Sequence, residues 1–401
     1  MKRSARVSAI ETASLKRIQS ALRNLPDHWR WGLGAFVVYR LLLTLWGIAL
    51  WRLGIVHSSP ESPYYYGLPP ITGSLAGPLV GIWQRWDAIH YTRIATGGYS
   101  APELSGFHPL FPLLGGLVSR ALGLEPLTAL LLVANLALAG ALVLLHRLVA
   151  SEFGDHTARR TLVVLLVFPG AYFLAAPYAE SLTLLLVVAA WLCARKSRWL
   201  LAFVMGAMAG LSHSTGLLLA VPLAVEAFEQ IRGKPGLRRF AVIGVALGPI
   251  AGTGVFLAWR AGQGFSAWLV TRRELWGTSI EWPWVQLLSI GEVFRSPYFV
   301  LTGWASLLVL GLALIASWWW IRHPHAAWTA WQLAMVVFLL SVHVKPVPLA
   351  SWLRHLMVLP TLFVALPNLI QAGWPRRIGL AAGVAIQLYL SALHMMWIWV
   401  T

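Results

Sequence analysis

The chain has 401 residues, of which 58% are hydrophobic and 11% charged, and it carries a formal net charge of +17 at pH 7. Its apolar segments are continuous rather than alternating, which excludes an outer-membrane β-barrel, and its single cysteine, Cys193, excludes an internal disulfide and a cysteine-rich metal site. A mean hydropathy of +0.69 therefore predicts an all-α polytopic membrane protein.

The first thirty residues are rich in lysine and arginine. An apolar stripe that runs from Val7 to Leu25 is compatible with a basic helix lying on the anionic cytoplasmic leaflet. A disordered basic tail explains the same composition equally well. We expect residues 1–30 to form a cytoplasmic N-terminal segment and residues 31–401 to form one transmembrane domain.

About eleven apolar segments, within a range of ten to twelve, are candidates to cross a hydrocarbon core of about 30 Å. They lie near residues 33–53, 127–148, 161–176, 180–194, 199–212, 215–228, 240–260, 298–320, 327–344, 351–370 and 378–399. With the N-terminus inside, the inner connections hold roughly twice as many Lys and Arg residues as the outer ones, as the positive-inside rule requires. We expect residues 107–122 to be re-entrant or to lie along the outer surface, and the join at 212–216 to lie outside or within the protein.

Two outer loops, near residues 54–126 and 261–297, are much longer than the other connections, and long loops in compact domains are usually functional. The first loop contains a Pro- and Tyr-rich stretch followed by an acidic motif. The second contains Trp268, Trp276, Trp282 and Trp284. Those rings suit the interfacial aromatic belt and suit stacking on sugars equally well, so both interpretations stay open.

The acidic motif of the first loop places Asp87 among apolar and aromatic neighbours at a predicted membrane edge, where a charged carboxylate is costly. Two interpretations stay open: a general base that accepts a hydroxyl proton, or an ion pair with Arg85, Arg93 or another outer cation. His90 falls three residues later, on the same face of a helix, and a hydrogen-bonding partner is favoured over a metal ligand.

A second carboxylate at the outer membrane edge is Glu180, which follows Pro177-Tyr178-Ala179 at a predicted helix start. For this residue, capping of the helix N-terminus is favoured over catalysis.

Two cations on the predicted outer side, Lys345 and Arg354, lie beside His343 and His355. They oppose the positive-inside rule, so a lipid phosphate is one candidate partner. Snorkelling to ordinary headgroups explains the same pattern.

Five sequence blocks occur in order and resemble one family. They are Gln84-Arg85-Trp86-Asp87-Ala88-Ile89-His90-Tyr91, Ile94-Ala95 with Gly98-Tyr99, Phe107-His108-Pro109-Leu110-Phe111-Pro112-Leu113-Leu114, Phe168-Pro169-Gly170-Ala171-Tyr172-Phe173 and Pro177-Tyr178-Ala179-Glu180-Ser181-Leu182. They resemble the PIG-V family of GT-C-type integral membrane glycosyltransferases, whose eukaryotic member adds the second mannose of the GPI anchor. The resemblance runs from about residue 30 to 225 and recurs at Leu353-Arg354-His355.

The resemblance implies a GT-C-type fold and transfer of a sugar, with mannose expected, from a polyprenyl-phosphate-linked donor to a hydroxyl of a lipid or cell-envelope glycan. It implies inversion at the anomeric carbon with Asp87 as general base, a donor phosphate held by Arg354, and no tightly bound cofactor or metal. The residues expected to bind substrate are Trp86, His90, Tyr91, His108, Tyr178, Glu180, His213, Lys345, Arg354 and His355.

The chain departs from the family pattern at three histidines. His213 stands where an arginine is usual, His355 where a tyrosine usually follows the arginine, and His108 where a second phenylalanine is common. Because a neutral histidine carries less charge than arginine, these differences bear on the donor, the acceptor and the pH dependence. The expected partners are membrane lipids, the lipid-linked donor and a lipid or glycan acceptor, and not nucleic acid.

Two other classes of protein remain alternatives, a polyprenyl-phosphate lipid transporter or flippase and an inactive scaffold. Transporters more often contain internal repeats and charges within spans, whereas here Arg40 is the charge nearest the middle of a predicted span. The sequence therefore favours an enzyme in a bacterial inner or plasma membrane, with its active site outside and its N-terminus in the cytoplasm.

Overall fold

The computed structural model describes residues 25–56, 63–232, 244–262, 273–274, 277–295, 299–345, 347–369 and 373–400. Three features predicted above lie outside these described residues: the apolar stripe of the basic N-terminal segment, apart from Leu25, and the side chains of Trp268 and Trp276.

Helices dominate the described residues. In chain order they are α1 (Asp27–Arg52), α2 (Ala76–Leu79), α3 (Asp87–Gly97), α4 (Leu110–Leu122), α5 (Pro126–Phe153), α6 (Asp155–Val167), α7 (Tyr172–Ala175), α8 (Glu180–Arg195), α9 (Trp199–Ser212), α10 (Ala220–Ile231), α11 (Leu247–Ala261), α12 (Pro283–Leu288), α13 (Ile290–Arg295), α14 (Trp304–Arg322), α15 (Ala326–Ser341), α16 (Trp352–His355), α17 (Pro360–Leu369) and α18 (Trp374–Met395). Short 3₁₀ turns precede α3 and α4, begin at Ser214 and Gly244, and follow α16. This confirms the all-α membrane class.

Five described helical segments are long and apolar enough to cross a membrane, or six if one strongly bent pair counts as a single span. They are Asp27–Arg52, Pro126–Phe153, Ser214–Ile231, Leu301–Arg322 and Trp374–Met395, with the bent pair Trp352–Val358 and Pro360–Leu369. The predicted number of about eleven spans is not confirmed. Other predicted spans form apolar helices shorter than 18 residues, such as α9 and α15, or are interrupted.

Two of the interruptions have a local cause in the sequence. The span predicted at 161–176 ends as a helix at Val167, because Pro169 disfavours helix at the residue before it and its own nitrogen carries no proton to donate. The span predicted at 351–370 bends by 93° where Pro360 begins α17.

Helix α5 is the central element of the bundle. It packs against α1, α4, α6 and α8, and its buried side chains include Leu130, Leu138, Leu142 and Leu145. The helix α4, within the segment expected to be re-entrant or superficial, has thirteen residues and a length of about 20 Å. It folds back beside α5 and therefore does not form a full span by itself.

Charged residues cluster at the two ends of the bundle. At one end, which we call the ion-pair end, Arg195 at the end of α8 lies 3.1 Å from Glu152 and 2.8 Å from Glu226. Arg159 contacts Asp155 and lies 3.6 Å from Asp27 at the same end. Helix α8 begins at Glu180, about 22 Å along the helix from Arg195. Glu180 therefore lies at the opposite end of the bundle.

A two-stranded antiparallel ribbon interrupts the otherwise helical fold. Strand β1 (Thr278–Ile280) pairs with β2 (Val342–Val344), with Ser279 opposite His343. The span predicted near residues 327–344 is wrong for 342–344, because the helix ends at Ser341. The β-branched Val-His-Val segment instead forms a ladder with the second long loop, and the Lys345 amide donates to the Gly277 carbonyl at 2.9 Å.

Candidate active site

A cavity of about 590 Å³ opens at the end of the bundle opposite the ion-pair end, within the range of small-molecule sites. Its polar lining residues include Asp87, His90, Tyr91, His108, His213, Glu274, Lys345, Arg354 and His355. Aromatic side chains form the rest of the wall: Tyr64, Tyr66, Trp86, Phe107, Trp397 and Trp399. Nine residues expected from sequence to act in one site therefore line one cavity, while Tyr178 and Glu180 lie behind it.

Asp87 enters this cavity as the first residue of α3. The residue before it, Trp86, has a positive φ of 51°, an uncommon conformation for a bulky side chain. Its ring packs 5.8 Å from the ring of Tyr64 and 5.8 Å from that of Trp397, so aromatic neighbours hold the turn. His90 follows Asp87 by one helical turn and lines the same cavity, as the spacing predicted.

The partner of Asp87 is Arg354, which comes from the short helix α16. Arg354 Nη1 donates to Asp87 Oδ2, and Arg354 Nε lies 2.8 Å from Glu180 Oε1. The guanidinium carbon also lies 5.5 Å from the centre of the Tyr178 ring. One arginine thus bridges two carboxylates at the base of the cavity, with Tyr178 behind it.

The other two cations suggested as partners of Asp87 have different roles. Arg85 is fully buried, and its Nε donates to the Met395 carbonyl at 2.9 Å. Arg93 Nη1 donates to Glu103 Oε1 at 2.9 Å. Of the cations that the ion-pair interpretation allowed, Arg85 and Arg93 were therefore wrong, and the third option, another outer cation, is confirmed in Arg354.

Glu180 does not act as an N-cap. The N-cap position of α8 is Ala179, and no side chain caps this helix. Glu180 is the first helical residue and is fully buried, so its carboxylate faces Arg354 with little access to water. The capping interpretation was wrong because the ion pair across the fold, which no local pattern reveals, determines where this carboxylate lies.

A glycine allows the arginine-bearing segment to approach this close. Gly170 lies in the break after α6, and a Cβ at this position would clash with the backbone oxygen of Leu353, the residue before Arg354. Backbone contact here needs the absence of a side chain. The Phe168-Pro169-Gly170 block therefore positions Arg354 through its contact with the backbone of Leu353.

The histidines of the cavity have defined hydrogen bonds. His108 Nδ1 lies 2.8 Å from the Gly210 carbonyl oxygen, so this nitrogen carries the proton. His213 Nδ1 instead accepts from the Thr215 amide at 3.2 Å, which leaves its proton on Nε2. That Nε2 atom lies 4.0 Å from Glu180 Oε1, and the ring centre is 5.1 Å from that of His355. The join at 212–216 is thus buried within the protein beside the cavity.

His90 and Tyr91 are held by aromatic contacts. The His90 ring lies 5.1 Å from Tyr66 and 5.0 Å from Phe107. Burial lowers the pKa of His90 and so favours the neutral imidazole, and the negative charge of Asp87 opposes this effect only in part. Burial and the negative charge of Glu180 raise the pKa of Tyr91 well above its usual value, so its phenol stays protonated.

Sequence reasoning missed a set of aromatic residues and one acid in the cavity: Tyr64, Tyr66, Trp397, Trp399 and Glu274. The sequence shows these residue types but not that they share one cavity. Trp397 reaches the site because the chain after α18 returns to the first loop, where the guanidinium carbon of Arg85 lies 4.7 Å from the centre of its ring. Trp282 and Trp284, expected as sugar or interface residues, stack on each other at 4.9 Å. Both are exposed, and neither lines the cavity.

Across the part of the chain that the structure describes, no group of three or more His, Cys, Asp and Glu residues is arranged to hold a metal ion. The site is instead built from an acid–arginine–acid set, one lysine, several histidines and an aromatic wall. Such a set offers a proton acceptor beside cations that suit an anionic group.

Comparison with known proteins gives one family match. Residues 32–302 match the model of the mannosyltransferase (PIG-V) family. Comparison with curated proteins gives no significant match.

Two solved structures of the Archaeoglobus fulgidus oligosaccharyltransferase, one described as a complex with Zn and sulfate and one in the apo form, resemble the chain at 13% identity. The TM-scores are 0.40 and 0.42; the matches cover 91% and 92% of this chain but 52% and 56% of the oligosaccharyltransferase chains. The chain thus spans about half the length of those structures, and similarity of this degree carries no argument about its chemistry.

Proposed function

This chain belongs to the mannosyltransferase (PIG-V) family, and from that premise we propose that it transfers mannose from a polyprenyl-phosphate-linked donor to an acceptor hydroxyl. The acceptor is a lipid or a cell-envelope glycan. The reaction takes place in the cavity that contains Asp87 and Arg354, and the anomeric configuration inverts.

The observation that supports this proposal best is the meeting of Asp87 and Arg354 at the base of the cavity. A carboxylate that can accept a proton lies against a guanidinium that can bind a phosphate oxygen. Lys345 lines the same cavity and supplies a second cation for the phosphate. With the donor phosphate on Arg354 and Lys345, the anomeric carbon of the sugar would lie beside the acceptor hydroxyl near Asp87.

The proposed reaction is a single displacement at the anomeric carbon. The acceptor oxygen forms a bond to the anomeric carbon while the bond from that carbon to the donor phosphate oxygen breaks. Asp87 receives the acceptor proton, and polyprenyl phosphate leaves with the bonding electron pair. Arg354 and Lys345 stabilise the charge that develops on the leaving phosphate.

Arg354 contacts the carboxylates of both Asp87 and Glu180. Glu180 offers a buried anchor at 2.8 Å on Nε, so Arg354 can turn Nη1 from Asp87 toward a phosphate and still keep one ion pair. We propose that donor binding releases Asp87 in this way to act as base. Glu180 is then a positioning residue, because it acts through Arg354.

The two walls of the cavity suit the two substrates. The cationic wall with Lys345, Arg354 and His355 suits the donor phosphate, while Tyr64 and Trp397 offer flat rings for the acceptor. His90 and Tyr91 orient the sugar or the Asp87 carboxylate. We place this cavity at the outer face of a bacterial plasma membrane, with the ion-pair end and the N-terminus in the cytoplasm.

The test is a transfer assay with the purified full chain and labelled, short-chain polyprenyl-phosphate mannose, offered with total lipid and envelope extract. We expect label to move into an acceptor with wild-type protein and not with Asp87→Asn. Glu292→Gln is the matched control, because Glu292 is an exposed acid paired on the surface with Arg295.

The alternatives predict other outcomes. A flippase would move the labelled lipid between leaflets of a proteoliposome without breaking the sugar–phosphate bond. A scaffold would do neither. If a panel of polyprenyl-phosphate sugars is neither consumed nor moved, the proposed function is wrong.

A further inference from the structure

A second cavity, of about 540 Å³, opens between α6, α14, α17 and α18. It shares no lining residue with the active-site cavity. Most of its lining is aliphatic, with Val163 and Val167 from α6, Leu308 from α14 and Leu380 and Ile386 from α18. It is therefore an apolar groove, separate from the site described above.

The ionisable side chains that line this groove are all basic and all lie at one of its ends. His156, Arg159 and Arg160 are in the first half of α6, and Arg376 is in the first turn of α18. Its described lining contains no aspartate or glutamate. A groove with a cationic end and an apolar body has the polarity of a site for an amphiphile with an anionic head.

The length of the groove matches one leaflet of a bilayer. From His156 to Val167 the helix rises about 17 Å, and from Arg376 to Ile386 it rises about 15 Å. Half of a hydrocarbon core of about 30 Å is about 15 Å. An acyl chain that starts at the basic end would thus run along the groove to the middle of the membrane.

The arginines of the basic end are held in different ways. Arg159 contacts Asp155 and lies 3.6 Å from Asp27, so acids compensate its charge. Arg160 donates to the carbonyl oxygen of Pro367, which holds its guanidinium at the basic end of the groove. Arg376 lines the groove from α18. Because α6 and α18 both begin here, their N-terminal dipoles add to the positive potential.

We propose that this groove binds an anionic glycerophospholipid, with its phosphate against Arg160 and Arg376 and one acyl chain along α6 and α18. The choice of a glycerophospholipid rather than the polyprenyl-linked donor rests on the proposed function, which assigns the donor phosphate to Arg354 at the opposite end of the bundle. The binding test below uses no catalytic readout, so its failure and the failure of the proposed function are distinguishable.

The test is a binding titration of the purified full chain in detergent, followed by native mass spectrometry. The probes are dioleoyl-phosphatidylglycerol and the zwitterionic dioleoyl-phosphatidylcholine. We expect phosphatidylglycerol to bind about tenfold more tightly to the wild type, and Arg376→Gln to lose about fivefold of that affinity. Arg377→Gln is the matched control, since Arg377 is the exposed neighbour and does not line the groove.

A third variant tests the apolar body of the groove. Ala382→Phe places a ring where the acyl chain would lie, so phosphatidylglycerol affinity should fall about fivefold with all cations intact. Thermal unfolding of each variant without added lipid establishes that it is folded. Equal binding of the two lipids by the wild type, equal losses in Arg376→Gln and Arg377→Gln, or unchanged affinity in Ala382→Phe would each overturn the proposal.

Discussion

Arg354 and Asp87 are 267 residues apart in the sequence and form an ion pair at the base of the larger cavity. The same guanidinium reaches the buried carboxylate of Glu180. Substitution of any one of these three residues therefore changes the charge environment of the other two. Variants of Arg354 and Glu180 together can distinguish the loss of a buried ion-pair partner from the loss of a contact to substrate.

Arg354→Ala should destabilise the fold and weaken donor binding together. Removing the guanidinium leaves the buried carboxylate of Glu180 without its cation, which typically costs about 3–5 kcal/mol. The double variant Arg354→Ala with Glu180→Gln should regain much of the lost stability, because no buried charge is then left alone. Thermal unfolding and donor titration of both variants measure the two effects.

Donor affinity should stay low in that double variant if Arg354 binds the phosphate. Recovery of donor affinity along with stability would mean that Arg354 acts only through the fold. Wild-type donor affinity in Arg354→Ala would remove this residue from the phosphate site altogether.

Gly170→Ala should disturb the site from behind. The added methyl group would clash with the Leu353 backbone oxygen and push the segment that carries Arg354 away from Asp87. We expect a loss of about 1–3 kcal/mol in the free energy of unfolding and a lower transfer rate. Gly34→Ala is the matched control, because a Cβ at Gly34 in α1 meets no atom within 4 Å.

The control variant should be as stable as the wild type or slightly more stable, since alanine favours a helix over glycine. Equal effects of the two substitutions would contradict the steric role assigned to Gly170.

Tyr64→Ala should affect the acceptor rather than the donor. The Tyr64 ring is exposed in the cavity and stacks on Trp397 at 5.7 Å. Loss of one aromatic contact should raise the KM for the acceptor about threefold to tenfold and leave donor affinity unchanged. Tyr389→Ala, at an exposed tyrosine of α18 outside the cavity, serves as control. A change confined to donor affinity would contradict the assignment of the two walls.

His90→Gln should reduce the pH dependence of stability. Burial lowers the pKa of His90 in the folded protein, so the unfolded chain takes up this proton at a higher pH, near 6.5. Stability is therefore present above the unfolded pKa and falls as the pH drops through that value. Between about pH 7.5 and about pH 5.5 the variant should lose less unfolding free energy than the wild type. Chemical denaturation at several pH values measures this, and an equal change of unfolding free energy with pH in the wild type and in His90→Gln would contradict the prediction.

The sequence predicted those features of the site that depend on local patterns. The spacing of Asp87 and His90 on one helical turn, the helical bounds of α9 and the cationic pair Lys345 and Arg354 were all readable from neighbouring residues. The family resemblance brought His108, His213 and His355 into the same site before any contact was known.

What the sequence could not predict depends on contacts between distant segments. The choice of Arg354 rather than Arg85 as partner of Asp87 follows from where α16 and the end of α18 lie. The strand at 342–344 forms only because the second loop supplies a partner at 278–280. The aromatic wall needs Trp397 to return to the first loop, which no periodic pattern encodes.

The most direct test of the central claim compares single-turnover transfer by the wild type and by Asp87→Asn at saturating labelled polyprenyl-phosphate mannose. General bases typically contribute about 10²–10⁴-fold to a rate. We predict a loss of that order in the transfer step, with donor affinity within about threefold of wild type because Glu180 still holds Arg354. Transfer by Asp87→Asn at the wild-type rate, with the same bound donor, would contradict the role of Asp87 as the base.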